Sequence, residues 1–198
     1  MPALVLASGS EIRAKLLRQA GIDVIVAPAR IDERALAGAL AAEGATSRDL
    51  ADVLAETKAL KISSRHPGTL VLGADQVLDC AGEIFSKPAT PEESIDQIRR
   101  LAGRTHRLLS AAVVCRDERP LWRHVGEARL TLAPLGDAFI VDYVTRNWPG
   151  LGETVGGYKI EEEGVRLMSR IEGDWFTILG LPLIELLTWL RGRGDIPS

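Results

Sequence analysis

The stretch Leu4-Val5-Leu6-Ala7-Ser8-Gly9-Ser10-Glu11-Ile12-Arg13-Ala14-Lys15-Leu16-Leu17 decides the fold class. Its opening apolar run is continuous and ends in small residues, which suits a strand buried on both faces. Ser8-Gly9-Ser10 breaks that strand, and Ser10 is a good helix N-cap. Ile12, Leu16, Leu17 and Ala20 then supply a helical stripe that stops at Gly21. A buried strand, a Ser/Gly turn and a helix start also make a place for an anion, because unpaired amides and the positive helix end face outward together. Arg13, in the first helical turn, adds a planar cationic fork. A capped helix with a surface arginine has the same sequence, and these residues alone leave both readings open. No Gly-Lys-Ser/Thr follows at Walker spacing.

Working outward, "IDVIVAP" (22–28) reads as a second strand and "ARIDERALAG" (29–38) as a charged connection, continued by a polar linker through Gly44. Thr46 to Ser64 is the best helix pattern, with Leu50, Val53, Leu54 and Thr57 on one face and Thr46 or Ser47 as cap. "TLVLGADQVLDCAGEIFSKP" (69–88) is a buried strand leading into a hairpin or a bulged loop around Ala81-Gly82. Pro91 opens an amphipathic helix that ends near Gly103. Strand-like segments follow over 105–116 and 121–133, joined by "RDERP". A helix near 136–146 leads to the Gly-rich "WPGLGETVGGYKIEEEG" (148–164). "VRLMSRI" (165–171) is a last strand, and a helix runs to about Arg191. The alternation predicts a mixed α/β sheet flanked by helices.

Composition narrows the function classes. The chain has 198 residues, 46% hydrophobic and 26% charged, enough for one domain or a compact two-lobed one with a core of its own. A net charge of −3 argues against a general nucleic-acid binder, so any phosphate recognition is local. "MPALVLASGS" lacks the basic and long apolar regions of a signal peptide, and no run approaches the ~18 apolar residues of a membrane span. These features predict a cytoplasmic protein without membrane contact. Cys80 and Cys115 have no metal or disulfide pattern around them and are expected to be buried free thiols.

Further candidates for chemistry lie downstream. Asp75 ends the apolar run "TLVLGAD", where an α/β sheet presents its ligand edge, and a buried strand rarely ends on an unpartnered carboxylate. An Asx-turn at the hairpin is the competing reading. Only five of the 24 basic residues are lysine, so the position of each is informative. Lys58 extends the Leu50–Leu54 stripe and therefore either snorkels or points its ammonium into a cleft. Lys87 sits in "FSKP", beside a proline that restricts the backbone. Glu33, in "IDER", could join Asp75 at a hard cation such as Mg²⁺ or remain a solvated loop charge. His66, His106 and His124 share no spacing that suggests a metal site.

Taken in order, "LASGSEIRAKLL", "ARIDER", "LAETKA", "GADQV", "SKP", "LAGRTH", "GGYKIEEEG" and "GDWFTILGLPL" resemble the signature segments of the Maf family of nucleoside triphosphate pyrophosphatases. The resemblance spans Leu4 to about Leu190 and treats 1–198 as a single Maf-like domain. It implies a fold of the Maf and inosine-triphosphatase type, a long twisted mixed sheet with a cleft between two lobes, commonly homodimeric. It implies cleavage between the α- and β-phosphates with a divalent metal, Mg or Mn. By motif, Ser8, Ser10 and Arg13 would hold phosphates, and Lys58 and Lys87 would add cations. Glu33 and Asp75 would position metal or water, with Asp75 as proton acceptor. The family's association with septum inhibition leaves a nucleotide-binding regulator as the alternative class.

Within the family, members acting on dTTP and UTP carry "SPRR" after the turn and "YGIQG" later. Here Glu11-Ile12 replaces Pro-Arg, Gln76 follows Asp75, and the later motif contains Lys159-x-Glu161. Gln76 and Lys159-x-Glu161 are similar to the members acting on 7-methyl-GTP, a subgroup that tends to have an aromatic residue where this chain has Ile12. Glu161 could accept from the N1–H and N2 amine of a guanine edge, whereas a thymine or uracil edge suits a glutamine. Ile12, Gln76, Lys159 and Glu161 are thus the expected base-side residues.

Overall fold

The computed structural model describes residues 4–197. The opening run is β1 (Leu4–Leu6), and after the turn comes α1 (Glu11–Gln19), capped by Ser10. The buried side of α1 carries Arg13, Ala14, Leu16 and Leu17, not the expected line through Ile12 and Ala20. Arg13 stands one turn before Leu16 and Leu17, so the same packing that buries them draws the guanidinium inward.

After β2 (Val24–Val26) the expected linker is instead a helix, α2 (Glu33–Ala42), capped by Asp32, whose Oδ1 accepts from the Ala35 amide at 2.9 Å. Its Ala- and Leu-rich sequence has high intrinsic helix propensity. None of its residues is buried, so it shows no core-facing stripe in the sequence. Helix α3 (Ser47–Ser63) begins with a capping box between Thr46 and Asp49. Strand β3 (Val71–Cys80) turns through Ala81 and Gly82, both at positive φ, into β4 (Glu83–Phe85). Helix α4 (Pro91–Leu101) has Thr90 as N-cap and proline at its first position, as expected.

Strands β5 (Thr105–Arg116) and β6 (Arg119–Leu132) are joined by only Asp117 and Glu118, not by all of "RDERP". Both turn residues have positive φ, the geometry of a tight hairpin turn. Contacts outside the turn hold them there: Asp117 Oδ1 accepts from the Gly68 amide at 2.7 Å, and the Glu118 amide donates to Ser63 Oγ at 3.0 Å. Helix α5 (Asp137–Asn147) leads to 3₁₀ turns, the last of which, Glu163–Leu167, takes the first part of the expected final strand. That strand is β7 (Met168–Glu172), followed by the short α6 (Trp175–Ile178) and by α7 (Leu183–Gly192). Among the described residues no helix is long and apolar enough to cross a membrane.

The seven strands form one mixed sheet in the order β2-β1-β3-β5-β6-β7, with β4 paired to β3. Strand β1 is parallel to both neighbours, while β3–β4 and β6–β7 are antiparallel. The chain divides into two compact units. The first holds the stretch up to Gln76, Leu109–Gly126 and the stretch from Asp174 onward; the second holds Val77–Leu108 and Glu127–Gly173.

In the first unit the period-two alternation of the strands sorts side chains between two layers. Leu4, Leu6, Leu72, Ala74, Ala112 and Val114 pack with Leu16, Leu17, Leu186 and Leu190 of α1 and α7. Val5, Ala7 and Val71 pack with Ile62 of α3. Gly73 belongs to this second face: a Cβ there would lie 2.7 Å from the Ala59 amide nitrogen and closer still to the Ala55 carbonyl. The absent side chain lets α3 lie directly on β3. Cys80 and Cys115 are buried free thiols, as the sequence suggests.

In the second unit α4 packs on α5 and on the Gly156-Gly157 turn. Beneath this turn His106, 1% exposed, places Nε2 2.6 Å from the Tyr158 hydroxyl, while its Nδ1 is buried with no hydrogen-bond partner among the described residues. Burial pulls the imidazole pKa down from 6.5 to about 4. The folded state therefore prefers neutral His106, so stability is complete above about pH 6.5 and falls as pH drops towards 4. At ~1.4 kcal/mol per pH unit the loss approaches about 3 kcal/mol. Denaturant titrations at pH 7.5 and 4.5 should show this acid loss in the wild-type chain and a shallower one in His106→Phe. An identical acid slope in both would exclude His106 as its source.

Candidate active site

Arg13 is a buried charge of the first unit, fixed by hydrogen bonds. It is 9% exposed and bonded at both ends of its guanidinium. Nη1 donates to the Ala74 carbonyl at 2.9 Å and to Ser8 Oγ at 3.0 Å, while Nε donates to the Gly180 carbonyl at 2.7 Å. Ser8 Oγ also accepts from the Ser10 amide at 3.3 Å, and Ser10 Oγ accepts from the Arg13 amide at 3.5 Å. The turn expected to be an anion site is therefore held by hydrogen bonds around one fixed cation. Gly180 has φ of 95°, a backbone conformation that side-chain-bearing residues rarely adopt, so glycine is what lets its carbonyl meet Arg13.

On the other face of the sheet, Lys58 follows Leu50 and Leu54 at four-residue intervals along α3 and is only 7% exposed. Its ammonium does not snorkel. Nζ lies 2.5 Å from Asp75 Oδ1 and 2.6 Å from Glu33 Oε1. Asp75, 8% exposed on β3, points opposite to Ala74 and Gln76 by strand alternation, which turns it towards α3. Glu33 comes from the first turn of α2, the helix the sequence did not reveal. The Asx-turn reading of Asp75 is thus replaced by a three-residue ionic cluster, which Glu33 joins while its side chain stays exposed to solvent.

Burial raises the Asp75 carboxyl above the ordinary carboxylate range, against the opposing pull of Lys58 and Arg13. Burial likewise lowers the Arg13 guanidinium, with Asp75 and Glu33 pulling it back. Counted together with Arg13, two cations and two carboxylates leave the site near neutrality. Among the described residues no group of three or more His, Cys, Asp and Glu side chains gathers as a metal site.

Gln76, on the Arg13 side of β3, is half-buried. Its Nε2 lies 3.0 Å from Ser110 Oγ, 3.0 Å from the Ile178 carbonyl and 3.2 Å from the Thr177 carbonyl. Sequence reading missed Ser110, although a lone hydroxyl inside the apolar "LLSAAVV" (108–114) is the kind of signal that marks a buried polar contact. It also missed the Ala74 and Gly180 carbonyls, which leave no signal in side-chain identity.

The family model described as Maf-like protein matches residues 3–193. The chain belongs to the Maf family. A nucleoside triphosphate pyrophosphatase of Roseobacter denitrificans is 55% identical over 98% of this chain and 98% of its own. A 7-methyl-GTP pyrophosphatase of Mesorhizobium japonicum is 48% identical over 98% of this chain and 97% of its own, and one of Brucella abortus is 46% identical over 95% and 94%. Of the Maf segments, "LASGSEIRAKLL", "ARIDER" and "LAETKA" lie in the first unit, as do "GADQV" up to Gln76 and "GDWFTILGLPL" from Asp174, and the bonds around Arg13 and Lys58 tie them to one another.

Three of the expected site residues, Lys87, Lys159 and Glu161, lie in the second unit. Lys87 is exposed in the segment between β4 and α4. Lys159 is half-buried over Gly150, with Nζ 3.6 Å from Glu162, and Glu161 is exposed. Ile12, half-buried on α1, stays in the first unit.

Proposed function

We propose that the chain is a nucleoside triphosphate pyrophosphatase that cleaves the α–β bond of a modified purine nucleotide such as 7-methyl-GTP. The observation that carries the reaction class is Arg13, Lys58, Asp75 and Glu33 assembled around the strand–turn–helix. The family match and the names of close relatives support it. For the base, Glu161 and the two relatives named 7-methyl-GTP pyrophosphatase favour a guanine edge.

In this reading Arg13 and the Ser8 and Ser10 hydroxyls hold the phosphates, and Lys58 and Lys87 neutralise charge that builds during transfer. Water attacks the α-phosphorus, the new P–O bond forms as the bridging oxygen leaves with pyrophosphate, and Asp75 takes the water proton. Its burial suits that role, because it raises the carboxylate's affinity for a proton. A divalent cation is part of the proposal. Glu33 and Asp75 already converge on one cation, the Lys58 ammonium, and Mg²⁺ typically takes one or two protein carboxylates plus phosphate oxygens. When bound it would offset phosphate charge that the near-neutral cluster does not, and lower the pKa of coordinated water. A cytoplasmic homodimer completes the proposal.

The test is pyrophosphate release from dTTP, UTP, CTP, GTP and 7-methyl-GTP with Mg²⁺ or Mn²⁺. Turnover should be highest with 7-methyl-GTP and abolished by EDTA. No release from any nucleotide would favour a regulator that binds without turnover. Hydrolysis in ¹⁸O-labelled water should label the monophosphate; label in the pyrophosphate would place the attack on the β-phosphorus.

A further inference from the structure

We propose that Gln76 is a positioning residue for the phosphates: it braces the turn whose Gly180 carbonyl aims Arg13, and has no proton to donate to the base. The inference rests on the pyrophosphatase reading of this site and assigns Gln76 a role apart from specificity. Each oxygen around its amide nitrogen can be accounted for. The Thr177 carbonyl accepts from Ser110 Oγ at 2.7 Å and from the Gly180 amide at 3.0 Å, so its two lone pairs are taken. Ser110 Oγ, its proton given to Thr177, accepts one Gln76 proton at 3.0 Å, and the Ile178 carbonyl takes the other at 3.0 Å. Both amide protons are spent inside the fold, and none is left for a base edge.

The oxygens so satisfied are those a helix leaves orphaned at its C-terminal end. Helix α6 is only Trp175–Ile178, too short to stand without such bonds. Its position is fixed further by Gly126, whose missing side chain admits Thr177: a Cβ there would fall 2.6 Å from Thr177 Oγ1. Two residues past this anchored end, the Gly180 carbonyl reaches Arg13 Nε at 2.7 Å. Strand β3 thus holds Arg13 twice, directly through Ala74 and indirectly through Gln76 and the Ile178 carbonyl, on either side of Asp75.

The probe is inorganic tripolyphosphate with Mg²⁺, which has phosphates and no base, measured by calorimetry. Gln76→Ala should weaken its binding about tenfold, while the kcat/KM ratio between 7-methyl-GTP and UTP stays within about twofold of wild type. In an Arg13→Lys background, which lacks the fork, adding Gln76→Ala should change tripolyphosphate affinity by less than about twofold. If Gln76→Ala does not fold, Ser110→Ala carries the same measurements with a loss of about threefold. Unchanged tripolyphosphate binding, an altered base ratio, or full additivity with Arg13→Lys would each overturn the brace. Absence of turnover with every nucleotide, with tripolyphosphate binding still dependent on Gln76, would remove the pyrophosphatase reading and leave the brace standing.

Discussion

Asp75→Asn is expected to keep the fold and bind nucleotide while losing about 10²- to 10⁴-fold in kcat, the usual worth of a positioned proton acceptor. The amide retains the carboxylate's shape but cannot take the water proton. Folding should survive, because burial already disfavours the Asp75 charge and Lys58 keeps Glu33 at 2.6 Å as its counter-ion. A thermal midpoint equal to or above wild type, with nucleotide affinity within about tenfold, would separate lost chemistry from lost structure. Turnover within tenfold of wild type would remove Asp75 from the reaction.

Gly73→Ala should be the most damaging single methyl in the first unit. The added Cβ meets backbone, the Ala55 carbonyl and the Ala59 nitrogen, which cannot rotate aside as a side-chain tip would. Overpacking of a filled core commonly costs about 1–3 kcal/mol, and a clash with helix backbone belongs at or above the upper end. At roughly 2–4 °C per kcal/mol for a chain of this size, the thermal midpoint should fall by about 6–12 °C or more. Activity should fall as well, since relieving the clash lifts α3 from β3 and draws Lys58 away from Asp75. A folded Gly73→Ala protein with wild-type kinetics would mean that the contact between α3 and β3 does not set the Lys58–Asp75 distance.

What the sequence revealed in advance was local. The β1 turn, the Ser10 and Thr46 caps, Pro91 at a helix start and the Ala81-Gly82 hairpin all depend on residues within a few positions of each other. Lys58 was legible for the same reason, because its place on the Leu50–Leu54 stripe follows from helical period alone. Helix α2 was not legible as a helix, since it buries nothing and so carries no amphipathic period. The two-residue turn at Asp117-Glu118 was hidden too, because its non-glycine positive φ values are sustained by Gly68 and Ser63, distant in the chain.

The sequence by itself determined the order of the strands and of every helix but α2 and α6, and the charged groups available to the site. Only the tertiary structure decided how those charges are aimed. Arg13 is oriented by the carbonyls of Ala74 and Gly180, the latter 167 positions away, and Lys58 is shared between carboxylates on α2 and β3. The physical reason is that a carbonyl oxygen is the same in every residue. Its role depends on where folding carries it, and side-chain identity can mark that place only indirectly, as glycine does at Gly73 and Gly180.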